Sequence, residues 1–249
     1  GVFEMNRSGE ITNLYSTKSG LNSNDIKSLF IDDHGNLWLA TGNGISVLNT
    51  SVPLAFYTDA VGLEGNIQCV KKFSGSLLVG TSVGLFQQVG SRHSFEKLDL
   101  EQQVWDLEIV NDNLLIGTNN GLFIYDGFFL ETIANDNVED IYFDETNNTL
   151  LASGAHGVAV YDVINNYTTM QTYQKSLGRS MGTAKDPESG SIWIGTTQSG
   201  ILKFDFDGFE YVVTEYGDED GVNVGEWIKP VLMNNKLKFG STYGLLEFN

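Results

Sequence analysis

The sequence predicts an all-β protein, a β-propeller of four-stranded antiparallel blades, and three observations carry that expectation. A short phrase ending in glycine recurs along the chain at intervals of about forty residues, the kind of period that marks a repeat architecture. An alternating apolar run, the pattern of a half-buried strand, follows each glycine. The composition agrees: 15 Phe, 10 Tyr and 4 Trp accompany many Val, Ile and Thr, while 28 Gly with only 3 Pro supply frequent tight turns.

The phrase is Leu-Trp-Leu-Ala-Thr-Gly-Asn-Gly at 37–44, Leu-Leu-Val-Gly-Thr-Ser-Val-Gly at 77–84 and Leu-Leu-Ile-Gly-Thr-Asn-Asn-Gly at 114–121, with looser copies at 150–157, 192–200 and 237–244. Gly1 opens a partial copy, and the six complete copies end near Gly44, Gly84, Gly121, Gly157, Gly200 and Gly244. Their unequal spacing belongs to loops of different length. The closing glycines are expected to permit positive φ in turns. Within the first copy, Asp25 to Asp32 reads as the innermost strand, Leu37 to Thr41 as the second, Ile45 to Asn49 as the third and Leu54 to Thr58 as the fourth. The other copies repeat that order, and Asp126-Gly127 and Asp207-Gly208 mark the third-to-fourth-strand hairpins. Four hairpin-linked strands per forty residues favour a propeller over an open solenoid, whose repeats are shorter. Residues 1–249 are read as one propeller domain, a six- or seven-bladed ring or a portion of a seven-bladed one. The N-terminal strand Ile11 to Ser16 either completes the last blade or stands for a copy beyond the sequence. The residues Trp38, Leu78, Leu115, Leu151, Trp193 and Lys238 share one second-strand position and are expected to pack between adjacent blades, with Lys238 breaking the series.

With 32 Asp and Glu against 14 Lys and Arg, the formal net charge is −18, which argues against nucleic acid as a partner and repels anionic surfaces. A lone Cys69 excludes an intrachain disulfide and a zinc site of several thiolates. No run of about 18 apolar residues or opening signal peptide is present. The abrupt start at Gly1 within the repeat reads as an excised or matured piece.

The phrase from Asn24 to Leu48, Asn-Asp-Ile-Lys-Ser-Leu-Phe-Ile-Asp-Asp-His-Gly-Asn-Leu-Trp-Leu-Ala-Thr-Gly-Asn-Gly-Ile-Ser-Val-Leu, closely resembles the two-component regulator propeller repeat, and Asp186 to Phe204 carries it again with one insertion. The resemblance implies a non-catalytic, ligand-sensing input module of a two-component sensor histidine kinase, periplasmic or extracellular on a membrane-anchored receptor, built as a seven-bladed propeller. It implies carbohydrate fragments as inducers, a downstream signalling domain and a homodimer as partners, and no cofactor. A protein-interaction scaffold of a secreted assembly is the alternative, and a propeller glycoside hydrolase or lyase a weaker one.

Chemistry-bearing motifs are sparse. Asp33 to Trp38 is similar to the Asp-box of sialidases, a structural turn element, and Arg7, Arg92 and Arg179 occupy different repeat positions, which excludes a shared arginine clamp. His34, His93 and His156 fall in different turns, so no metal site is expected. Asp205 to Gly208 and Asp218 to Gly221 are only faintly like calcium loops. Loops entering the innermost strands and turns joining second to third strands are expected to converge on one concave face. The candidate ligand-binding residues there are Asn24, Asn66, Gln103, Trp105, Asn137, Arg179, Glu226 and Trp227 from the first set, with His156 and Tyr243 from the second. Amides and aromatic faces of this kind suit a neutral glycan; the competing reading is that the Asn residues simply tolerate turns.

Overall fold

The computed structural model describes residues 1–49, 61–90 and 94–247, and all of its regular structure beyond two short 3-10 turns is strand. The chain divides into two compact units, residues 1–64 with 87–97 and residues 65–86 with 98–249.

In the smaller unit, β1 (Val2–Met5) and β2 (Ile11–Tyr15) form a hairpin, and β3 (Ile26–Ile31), β4 (Asn36–Thr41) and β5 (Gly44–Asn49) form a three-stranded antiparallel sheet. The fourth strand expected at 54–58 lies outside the described residues. Leu21, Leu37 and Leu39 make the core here, packed by Val2, Tyr15, Ile26 and Leu48.

The next sheet runs β6 (Ile67–Phe73), β7 (Ser76–Thr81), β8 (Gly84–Val89), β9 (Ser94–Lys97), with the unit boundary falling inside β8. Then come three further four-stranded sheets in simple up-and-down order. They are β10 (Val104–Val110) to β11 (Asn113–Thr118), β12 (Gly121–Tyr125) and β13 (Leu130–Ala134); β14 (Asp140–Asp144) to β15 (Thr149–Gly154), β16 (Gly157–Asp162) and β17 (Thr168–Gln174); and β18 (Ser180–Lys185) to β19 (Ile192–Thr196), β20 (Ile201–Phe206) and β21 (Tyr211–Tyr216). A three-stranded sheet, β22 (Ile228–Met233), β23 (Lys236–Ser241) and β24 (Gly244–Leu246), ends the described chain. These are propeller blades, each a meander whose sequence alternation sets its register.

Blades stack through apolar layers, and the second-strand position predicted to lie between them does so in the larger unit. Leu115 packs with Val138, Ile141, Leu150 and Ala152 of the next blade, Leu151 with Ile192 and Ile194, and Trp193 with Ile228 and Phe239. Leu78 joins Leu107, Leu114 and Ile116. Trp38 departs from the series at 42% exposed, and Lys238 turns its ammonium to Glu247 at 3.2 Å. The layers are tight: a Cβ at Gly195 would sit 1.9 Å from the Ile228 carbonyl oxygen. Of the closing glycines, Gly157 does hold positive φ (+140°), whereas Gly121 is required by space, since a Cβ there would lie 2.6 Å from the Ala134 carbonyl oxygen.

Three consecutive blades close their third-to-fourth-strand hairpins in the same way. Asp126 Oδ1 accepts the N–H groups of Phe128 and Phe129, Asp162 Oδ1 those of Ile164 and Asn165, and Asp207 Oδ1 those of Phe209 and Glu210. Each is an Asx turn that fixes its tip locally. Phe128, Ile164 and Phe209, two residues after each anchor, are 88, 74 and 83% exposed.

Candidate functional site

The first strands of the larger unit's blades, β6, β10, β14, β18 and β22, neighbour one another in chain order. Three of them are bulged near their starts, between Ile67 and Cys69, Val104 and Asp106, and Ser180 and Gly182. A bulge leaves one residue unpaired and re-aims its side chain; the residues so freed are Gln68, Trp105 and Met181. Past the bulge, one repeat position holds Cys69, Asp106, Asp140, Gly182 and Lys229, each opposite a Gly or Ser of its second strand.

That position joins the blades by polar contacts. A first strand is an edge strand, so its outward N–H groups need side-chain partners. Asp106 Oδ2 accepts the Ile141 N–H of the next blade at 2.9 Å while Oδ1 accepts Leu107 N–H at 2.8 Å. Asp140 Oδ2 accepts the Thr183 hydroxyl at 2.5 Å. Gly182 leaves the room into which Lys229 extends, since a Cβ there would be 3.2 Å from Lys229 Cε and 3.9 Å from Asp140 Oδ1. Two residues along, Lys71 Nζ pairs with Glu108 Oε2 at 2.6 Å.

Electrostatics follow from this crowding. Burial, then the negative charge of Asp106, pushes the Asp140 carboxyl up to about 7, against the Thr183 hydroxyl and the Lys229 ammonium. Burial also raises Asp106, partly offset by its two N–H donors, and burial followed by Asp106 raises the Cys69 thiol to about 12. A thiol so placed is a poor nucleophile.

At the starts of these strands, on the face expected to carry the ligand mouth, side chains of three blades meet. The Arg179 guanidinium lies 4.6 Å above the Trp105 ring, with its Nε 3.8 Å from Glu139 Oε1. Glu139, immediately before β14, spends its other oxygen on the Ser180 N–H at 2.9 Å, and burial raises its carboxyl. Among the described residues Trp105 Nε1 is buried without a hydrogen-bond partner. Three consecutive blades thus contribute Trp105, Glu139 and Arg179 to one cluster.

The remaining predicted residues make other contacts. Glu226 accepts the hydroxyls of Thr242 and Tyr243, the latter at 3.0 Å, and Trp227 beside it is 43% exposed. Asn137 Oδ1 accepts the Ala155 N–H at 2.8 Å, and Gln103 and His156 are tied through their carbonyls to Asn119 and Lys175. Asn66 is exposed, its N–H donating to the Ser82 hydroxyl. Asn24 belongs to the smaller unit, where its side-chain amide bonds Thr17. The Asp-box aspartate shifts by one residue: Asp32, not Asp33, accepts from the N–H groups of His34 and Asn36 and from Trp38 Nε1, all at 2.9 Å. Residues 92 and 93 lie outside the described residues. Among the described residues no three His, Cys, Asp or Glu side chains are grouped to hold a metal ion. Glu139, Asp106, Asp140 and Lys229 escaped the sequence reading; aligning the copies on the small second-strand residue places three of them in one column.

The blade architecture and inner-strand cluster are those of a β-propeller. Within it, residues 20–43 match the family described as two component regulator propeller. No curated protein sequence matches the chain. Among solved structures, it resembles the extracellular domain assigned to the one component system BT4673 of B. thetaiotaomicron, at 18% identity and TM-score 0.61 over 96% of this chain and 38% of that one. A second is the extracellular domain assigned to the hybrid two component system BT3049 of B. thetaiotaomicron, at 19% identity and TM-score 0.50 over 94% and 41%. An ancestral GH74 enzyme aligns at 16% identity and TM-score 0.56 over 73% and 28%. The chain therefore spans well under half the length of these relatives, and likeness at such identity establishes the fold. No helix among the described residues is long and apolar enough to cross a membrane.

Proposed function

We propose that the chain is a non-catalytic signal-input propeller of a two-component sensor, acting outside the cytoplasm and passing ligand occupancy to a downstream signalling domain, with homodimerisation as the transmitted event. The observation that carries this reading is the family match at residues 20–43. The mouth around Trp105, Arg179 and Glu139 supports ligand binding there, because side chains from three blades meet at it and binding alters how those blades are held. A carbohydrate, neutral or acidic, is the favoured ligand class. A panel of oligosaccharides tested by calorimetry should yield a ligand whose binding is abolished in Trp105→Ala and Trp227→Ala variants of unchanged fold. That ligand should also be recovered intact after incubation, whereas its cleavage would reassign the protein as an enzyme.

One observation favours a second reading, a protein-interaction scaffold. The Asp-anchored tips at Phe128, Ile164 and Phe209 hold large apolar side chains in water at the same hairpin of three consecutive blades, a recurrence that supports a repeated contact with one partner. Loss of a protein partner, with glycan binding retained, on changing all three to Ser would assign partner binding to this surface.

A further inference from the structure

We infer that Arg179, laid on Trp105 at the mouth of the inner strands, is a subsite for a carboxylate on a small ligand, so that the sensed molecule is an acid rather than a neutral glycan; this rests on the sensing role proposed above. The backbone of Arg179 is clamped on both sides by Thr197, whose hydroxyl accepts the Arg179 N–H at 2.9 Å and whose N–H donates to the Arg179 carbonyl at 3.1 Å. From this fixed point the side chain crosses Glu139 and ends with one guanidinium face 4.6 Å from the indole. Glu139 approaches only the Nε edge, at 3.8 Å, outside hydrogen-bond range. Among the described residues no acceptor lies within hydrogen-bond distance of the guanidinium, and the side chain is 53% exposed against 8% for Glu139. A planar fork of parallel N–H donors, pre-oriented by stacking and open to solvent, is what a carboxylate accepts bidentately.

The same geometry disfavours the neutral-sugar reading at Trp105, because the guanidinium already occupies one ring face that a pyranose would use. It also limits the anion. A single guanidinium, partly balanced by Glu139 and set in a chain of net charge −18, offsets one negative charge and not a polyanion, whose approach the overall field opposes. The ligand is thus a small monoacid, with a uronic acid sugar and a simple organic acid as its two sources.

The test is a titration followed at the Trp105 indole N–H resonance, assigned by its loss in Trp105→Phe, with glucuronate, methyl glucoside and acetate as probes. Saturable shifts with glucuronate but not methyl glucoside support the subsite; acetate matching glucuronate points to a simple acid, and weaker acetate points to the sugar ring. Arg179→Gln should weaken glucuronate by at least about tenfold, Arg179→Lys less because it keeps charge without the fork, and Glu139→Gln should strengthen it a few-fold. Glucuronate binding that survives Arg179→Gln overturns the inference. Equal shifts with methyl glucoside overturn it while leaving ligand sensing at this mouth intact, and no shift with any probe removes both.

Discussion

Trp38 and Trp193 sit at the same place in the same recurring phrase, yet their surroundings differ. Trp193 is 6% exposed, stacked on Tyr216 with centroids 5.5 Å apart and met edge-on by Phe239 at 5.4 Å. Trp38 is 42% exposed and held by its indole N–H to Asp32. The phrase specifies the strand, its turn and the direction of the ring; what the ring is worth is decided by residues some twenty to forty positions away in other elements. The aspartates that open the two phrases differ in parallel. Asp32 is drawn down to about 2, first by the Trp38 N–H and then by Asn36, whereas Asp186 is lowered chiefly by Ser189.

The largest effect that sharpens the contrast is Trp193→Ala, which empties an inter-blade layer and should destabilise by about 3–5 kcal/mol in chemical denaturation; Trp38→Ala should cost only a fraction of that. Equal losses would mean that burial does not separate the two copies. Next comes Tyr211→Phe. The Tyr211 hydroxyl contacts Thr149 at 2.7 Å and Asp144 Oδ2 at 3.0 Å within a blade interface closed by Lys185, and its removal should cost about 1–3 kcal/mol, leaving Asp144 short of a donor.

Smaller effects concern pH, where two carboxylates of the fold act with opposite sign. Asp140 has its folded value raised to about 7, so the folded state binds the extra proton and its stability falls as pH rises between about 4 and 7. Asp140→Asn should flatten that fall in thermal melts across the interval, and an unchanged profile would remove Asp140 as its source. Asp32, with its folded value depressed, contributes stability above about pH 4 that disappears as pH drops through about 2. Asp32→Asn should remove this acid-limb contribution and Trp38→Phe part of it.

Most of the fold was legible because glycine spacing and alternation are local signals. The second-strand position was read correctly for Leu78, Leu115, Leu151 and Trp193, since an apolar residue recurring at one place in a repeat has few places to go other than the neighbouring blade. Exposure at Trp38 was invisible because it depends on what other elements supply. The mouth was half legible: Trp105 and Arg179 stood out as large residues at strand entries, but their contact passes over Glu139 on the intervening blade. Asp106, Asp140 and Lys229 looked like ordinary charged strand residues, for their meaning comes from contacts with the next or preceding blade, and a bulge bears on Asp106 alone of the three.

The Asp-anchored tips at Phe128, Ile164 and Phe209 close through hydrogen bonds within their own hairpins. Each turn is therefore set locally, so that changing one tip leaves the Asx hydrogen bonds of the other two in place. A designer can graft a short epitope between Asp126 and Leu130 while the blades beneath keep their register.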